Sequence, residues 1–160
     1  MNDRAAILVA ELGLIPHPEG GYYGEVHRSA ALVMPVDGRG VRSALTTIYF
    51  MLRAGDVSRW HRVRSDEVWH FYEGEPLELW TASPDLQIIE CKRLGSLHGS
   101  QRPVRTVPAN WWQAARSTGS YTLVGCSVGP GFDFQDFELA ADEPSAVNAL
   151  QARPDLKDFL

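Results

Sequence analysis

Residues 55–74 read GDVSRWHRVRSDEVWHFYEG. Two runs rich in Val, Trp, Phe and Tyr flank a short polar turn, which is the pattern of two β-strands. Side chains alternate along a strand, so His61 and Val63 share one face, and Glu67, Trp69 and Phe71 share a face of the next strand. With the turn in register, a histidine and a glutamate face each other across an interior. Such a pair suits a metal ion, through imidazole nitrogen and carboxylate oxygen, or proton transfer in which the carboxylate sets the tautomer and pKa of the ring. His70 stands at an odd offset from Glu67 and is expected on the outer face or at a contact between copies.

Outward from this stretch the same pattern recurs. Strands are expected at 22–28, 41–52, 57–63, 67–72, 76–81, 86–93, 104–107, 111–115, 121–128 and 134–139, each ended by Gly, Pro, Asp or Ser. Asp37-Gly38 signals a tight type I′ hairpin turn, because both residues accept positive φ, and Glu73-Gly74 marks a similar turn before Pro76. A helix over about 4–13 is capped by Asp3, with Ala5, Leu8, Val9 and Leu12 on one face and Gly13 and Pro16 as its stop. A second short helix is expected over about 145–153. No internal repeat or linker interrupts 1–160, so a single domain with its barrel over about 21–139 is expected. Many short strands imply an all-β sandwich or jelly roll, and composition does not separate the two.

With 160 residues, 44% of them hydrophobic and 22% charged, the chain has the composition of one ordinary globular domain. Fourteen glycines and ten prolines agree with many turns. A net charge of −5 argues against a partner in nucleic acid or at an anionic membrane surface. The first apolar run, 5–10, is broken by Glu11 before it could serve as a signal core or a membrane span, so a cytoplasmic location is the expectation. Cys91 and Cys126 show no paired spacing and read as reduced core residues.

The spacing of Gly55, His61, Glu67 and Gly74 resembles the first motif of the cupin superfamily, G-x5-H-x-H-x(3,4)-E-x6-G, with Val63 in place of the second histidine. Its second motif, G-x5-P-x-G-x2-H-x3-N, is similar to 102–117. There Pro108 matches, Asn110 replaces a glycine in a left-handed turn, Gln113 replaces the histidine, and Arg102 and Ser117 replace the first and last residues. The phrases LIPHPEGGYY (14–23), WHR (60–62), SDEVWHF (65–71), PANWWQA (108–114), LVGC (123–126) and PGFDF (130–134) resemble the uncharacterised cupin-5 family. That resemblance implies a double-stranded β-helix, the jelly-roll barrel, commonly dimeric, with one pocket and a proposed kinship to nucleotide-sugar epimerases. It also implies that a metal, where a relative holds one, sits on three histidines and a glutamate. Here those positions are His61, Val63, Glu67 and Gln113, so no cofactor is expected, and a divalent ion would have only His61, Glu67 and Gln113.

The leading expectation is a small-molecule pocket, for a sugar or sugar nucleotide, in a homodimer. An epimerase or isomerase would use His61 to remove a proton beside a carbonyl, Glu67 to orient the ring and Tyr49 to return a proton from the other face. Trp69, Phe71, Trp111 and Gln113 would line the pocket. Glu19 joins them from the Gly20-Gly21 loop that also carries His17, while His27 and His98 read as surface residues. Arg59, grouped with Arg62 and Arg64, would clamp an anion. A metal-dependent dioxygenase or isomerase and a non-catalytic sensing module are the alternatives.

Overall fold

The computed structural model describes residues 3–160. Helix α1 (Arg4–Glu11) starts where the Asp3 side chain accepts a hydrogen bond from the Ala5 N–H, at 3.1 Å. The strands follow as β1 (Ile15–Pro16), β2 (Tyr22–Arg28), β3 (Leu32–Val33), β4 (Arg42–Ser43), β5 (Thr46–Arg53), β6 (Val57–Val63) and β7 (Asp66–Gly74). They continue as β8 (Leu77–Ala82), β9 (Ile89–Leu94), β10 (Val104–Val107), β11 (Trp112–Ser117), β12 (Tyr121–Gly129) and β13 (Phe137–Leu139), before α2 (Pro144–Gln151).

Two antiparallel sheets face each other as a jelly roll. One has the order β1-β2-β5-β12-β7-β10 and the other β13-β6-β11-β8-β9, while β3 and β4 form a separate ribbon. The chain crosses from one sheet to the other between β6 and β7. This crossing places His61 and Glu67 on opposite walls of the barrel. Phe50, Leu52, Trp69, Leu77, Leu79 and Val124 fill the interior. The outer face of the smaller sheet, with Trp60 and Trp112, is covered by Ala146, Leu150, Leu156 and Phe159 of the C-terminal segment. Helix α1 covers part of the other outer face with Ala5 and Leu8 against Met51 and Leu123.

Several local expectations change. The run 41–52 divides into β4 and β5, and the ribbon β3–β4 projects between β2 and β5. Gly38 has φ +79° but Asp37 does not enter the left-handed region, so a longer loop replaces the type I′ turn. The strand expected from residue 86 begins only at Ile89, because Leu86 itself takes φ 61° in the turn. Residues 134–136 wind as a 3₁₀ turn before β13. Pro144 opens α2 one residue before the expected start, and the Glu143 side chain caps it. Cys91 lies exposed on β9, contrary to the core position expected for it, whereas Cys126 is buried. Asn110 does adopt the left-handed conformation, with φ 67°. Among the described residues, no helix is long and apolar enough to cross a membrane.

Candidate functional site

The loop between β1 and β2 builds one side of the site. Its turn is closed by the His17 N–H on the Gly21 carbonyl (3.0 Å) and the Gly20 N–H on the His17 carbonyl (2.9 Å). The Arg59 N–H then donates to the Glu19 carbonyl at 2.7 Å, stitching the loop to β6. Gly20 has φ +110°, and a Cβ there would collide with the Val57 carbonyl, so the loop can lie this close only with glycine. The result is that His17 and Glu19 are carried into the barrel beside His61.

His61 Nδ1 lies 2.7 Å from the Arg59 carbonyl. A carbonyl only accepts, so Nδ1 carries the proton and Nε2 is left to face Glu19 Oε2 at 3.0 Å. The other Glu19 oxygen accepts from Ser58 Oγ at 2.9 Å. Burial raises the Glu19 carboxyl to about 8 and lowers the His61 ring, so near neutrality the pair holds one proton, with the carboxyl donating to Nε2. His17 Nδ1 accepts the Glu19 N–H at 3.1 Å, and desolvation, assisted by nearby His61, lowers this ring to about 3.

From the facing wall, Trp69 Nε1 on β7 donates across the barrel at 2.9 Å to Oε1 of Gln113, the register partner of His61 on β11, and Gln113 Nε2 donates back to Glu67 Oε2 at 2.6 Å. An indole N–H can only donate, so this chain fixes the amide orientation and, through it, the carboxyl. Burial pushes Glu67 up to about 7. Relative exposures of 7% for Glu19, 2% for His61 and 8% for Glu67 keep all three groups largely out of bulk water.

These groups open onto one chamber, lined also by Tyr23, Thr46, Ile48, Phe50, Val63, Cys126, Val128 and Phe132. It leaves about 40 Å³ for water-sized atoms, enough for a few waters or the reacting fragment of a ligand. Tyr23, Thr46, Ile48 and Phe132 continue into a vestibule of about 370 Å³ with Glu25, Arg28, Asp133 and Phe134, a size usual for small-molecule sites.

The structure thus brings together His61, Glu67 and Glu19, with Gln113 beside His61 and bonded across to Glu67. His17 and Tyr23 join them. The signal for His17 was its place in the glycine loop, and alternation from Tyr22 was too ambiguous to find Tyr23. Tyr49 does not reach the chamber. Ile48 and Phe50 point inward, so the residue between them points outward, where Tyr49 meets Tyr72 with ring centroids 6.0 Å apart. Trp69, Phe71 and Trp111 belong to the packed barrel interior and do not line the chamber. Arg59 turns away to the Pro18 carbonyl (2.7 Å), and Arg62 pairs with Glu138 (2.8 Å) over the Trp112 ring, so neither clamps an anion inside. Glu67 does not orient the His61 ring; Glu19 and the Arg59 carbonyl hold its two nitrogens.

Residues 6–140 match the Cupin_5 family of the cupin superfamily (DUF985). The chain belongs to the Cupin_5 family. This cupin is 32% identical to a hypothetical protein from Leishmania major, over 97% of its own length and 95% of the other chain, with a TM-score of 0.83. It is also 32% identical to a structural-genomics protein from Shewanella oneidensis, over 100% and 98% of the two chains, with a TM-score of 0.84. Oxalate decarboxylase from Bacillus subtilis shares the fold at 11% identity and a TM-score of 0.57, over 78% of this chain and 29% of that one. No curated protein matches.

The superfamily's metal positions do not form a ligand set in this cupin. Val63 has no donor atom, both ends of the Gln113 amide are engaged, and His61 Nε2 is in hydrogen-bond contact with Glu19. Among the described residues, no three His, Cys, Asp or Glu side chains are arranged to hold an ion.

Proposed function

We propose that this cupin moves a proton on a small carbonyl compound, as an isomerase or epimerase that needs no metal. The observation that carries the reading is that two acid–base groups rooted in opposite sheets line one chamber, Glu67 on β7 and the Glu19–His61 pair at β6. Epimerisation needs a base on one face of a carbon and an acid on the other. Glu67, at about 7, is divided between its two forms near neutrality and serves as the base. It takes the proton beside the carbonyl, and the C–H electron pair passes into an enolate. The single proton shared by Glu19 and His61 returns to the carbon from the opposite face, and exchange with vestibule water resets both groups. Glu67 takes the role expected of His61, and the Glu19–His61 pair the role expected of Tyr49.

The 40 Å³ chamber admits only the reacting fragment, and among the described residues no Arg or Lys lines it to receive a diphosphate. A free small sugar or hydroxy ketone therefore fits better than a sugar nucleotide. The test is incubation with a panel of small ketoses and hydroxy ketones in deuterated water. Deuterium should appear at the carbon next to the carbonyl with wild type and disappear with Glu67→Gln. No incorporation with any compound would leave a non-catalytic binding module as the better reading.

A further inference from the structure

We propose that the chamber and its vestibule form a site for a small organic cation, a ligand bearing a protonated amine. This rests on the reading of the chamber as the ligand site, but not on turnover. Two carboxyl groups, Glu19 and Glu67, are both more than nine-tenths buried and both line the chamber, and among the described residues no Arg or Lys lines it with them. The vestibule repeats the imbalance. Glu25 and Asp133 stand there against the single Arg28, whose guanidinium is already engaged by Glu25 (2.7 Å) and the Phe132 carbonyl (3.1 Å). Arg59, the other nearby guanidinium, is held by the Pro18 carbonyl outside the chamber.

The mouth thus has one more carboxylate than guanidinium, and at the floor Glu67, at about 7, is partly ionised near neutrality while Glu19 keeps the proton it shares with His61. An anionic head group would meet like charge without a donor clamp, whereas an ammonium would be steered in. Aromatic rings frame the same path. Tyr23 and Phe132 line both spaces, Phe50 the chamber and Phe134 the vestibule, with Phe132 and Phe134 edge to face at 4.9 Å. Rings beside carboxylates are the surroundings in which proteins hold ammonium groups, because the ring faces are electron-rich and the carboxylate supplies the charge. Both Glu19 oxygens are engaged, by Ser58 Oγ and His61 Nε2, whereas Glu67 is held through one oxygen by Gln113 and has no cationic partner, so Glu67 is the carboxyl left to receive the ammonium.

The test uses three probes of nearly equal size and different charge: ethanolamine, ethylene glycol and glycolate. Each is titrated into ¹⁵N-labelled protein, following amide shifts of the chamber residues and the Gln113 side chain. Ethanolamine should bind in the millimolar range natural to so small a ligand, and at least about tenfold more tightly than ethylene glycol. Glycolate should not compete. Glu67→Gln should weaken ethanolamine about tenfold and leave ethylene glycol unchanged, and Phe132→Leu should weaken ethanolamine about threefold. Equal or tighter binding of glycol or glycolate, or no ethanolamine shift, overturns the proposal. Deuterium exchange of uncharged ketoses without amine binding would overturn it while leaving the acid–base reading intact. Amine binding without any exchange would do the reverse.

Discussion

At the residue scale, the unusual feature is a set of carboxyl and imidazole groups kept close to neutral by burial. Glu19 rises from 4.5 to about 8 and Glu67 from 4.5 to about 7, both chiefly by desolvation. Each therefore holds its proton in the folded chain over a range where the unfolded chain has lost it. Stability falls as pH rises from about 4.5 to about 8 and is flat in these groups beyond that. His17, lowered from 6.5 to about 3, acts in the opposite sense, and its contribution is lost as pH falls through that window. His61 is lowered as well, so below about 6.5 the two rings offset the two carboxyls; urea midpoints should therefore decline chiefly between about pH 6.5 and pH 8, and Glu19→Gln should shrink the decline. A wild-type midpoint that does not change over this range would contradict the burial of these carboxyls. The identities of His61 and Glu67 were legible in the sequence because alternation and spacing are one-dimensional. Glu19 and Gln113 were named for the pocket too, but the pairing of Glu19 with His61 was not legible. Glu19 lies 42 positions from His61 in no repeating pattern, and only the folded loop places its Oε2 3.0 Å from the ring.

At the scale of the element, the glycine loop 17–21 and strand β6 act as one unit, joined by the Arg59 N–H to Glu19 carbonyl bond. Gly20→Ala introduces a Cβ against the Val57 carbonyl at positive φ, so it should cost at least about 2 kcal/mol, measured by urea unfolding. The same variant should move Glu19 away from His61, seen as a change in the ¹⁵N shift of His61 Nε2; an unchanged shift would mean that the loop does not depend on that close approach. Strand β6 was legible to the residue, Val57–Val63, because its bounds are turns, although a bulge against β11 between Ser58 and His61 breaks its alternation. The strand expected over 41–52 failed for the converse reason. Its apolar content is continuous across Ala44 and Leu45, where the chain breaks pairing to form the β3–β4 ribbon. The outward direction of Tyr49 was also available from alternation, once Ile48 and Phe50 were known to point inward.

At the scale of the whole molecule, the chamber exists because two sheets are held face to face, and each outer face has its own cover. The C-terminal segment buries Phe159 against Trp60, with centroids 6.4 Å apart, on the far side of the smaller sheet from the chamber. Phe159→Ala should cost about 3–5 kcal/mol by the loss of a buried aromatic ring, read by thermal denaturation. Its separation from the site predicts that ethanolamine shifts of the folded variant match those of wild type. Altered shifts would show that the sheet transmits packing strain across its thickness. Arg42 and Asp136 make a second long-range tie, paired through Nε and Nη2 at 2.9 Å each, which anchors the turn before β13 to the ribbon.

The sequence by itself determined the all-β class, the two motif residues that face each other and the family to which the chain belongs, because strand alternation, turn residues and motif spacing are local or periodic. It could not decide which of the named side chains share a chamber or how they pair, because the arrival of the 17–21 loop at β6 and the turning of Arg59 to the Pro18 carbonyl depend on contacts between segments far apart in the chain. Residues 55–74 supplied His61 and Glu67. Only the packing of a separate glycine loop beside them made an aromatic-walled chamber in which Glu19 and His61 share a proton and the Glu67 carboxyl reaches in from the other sheet.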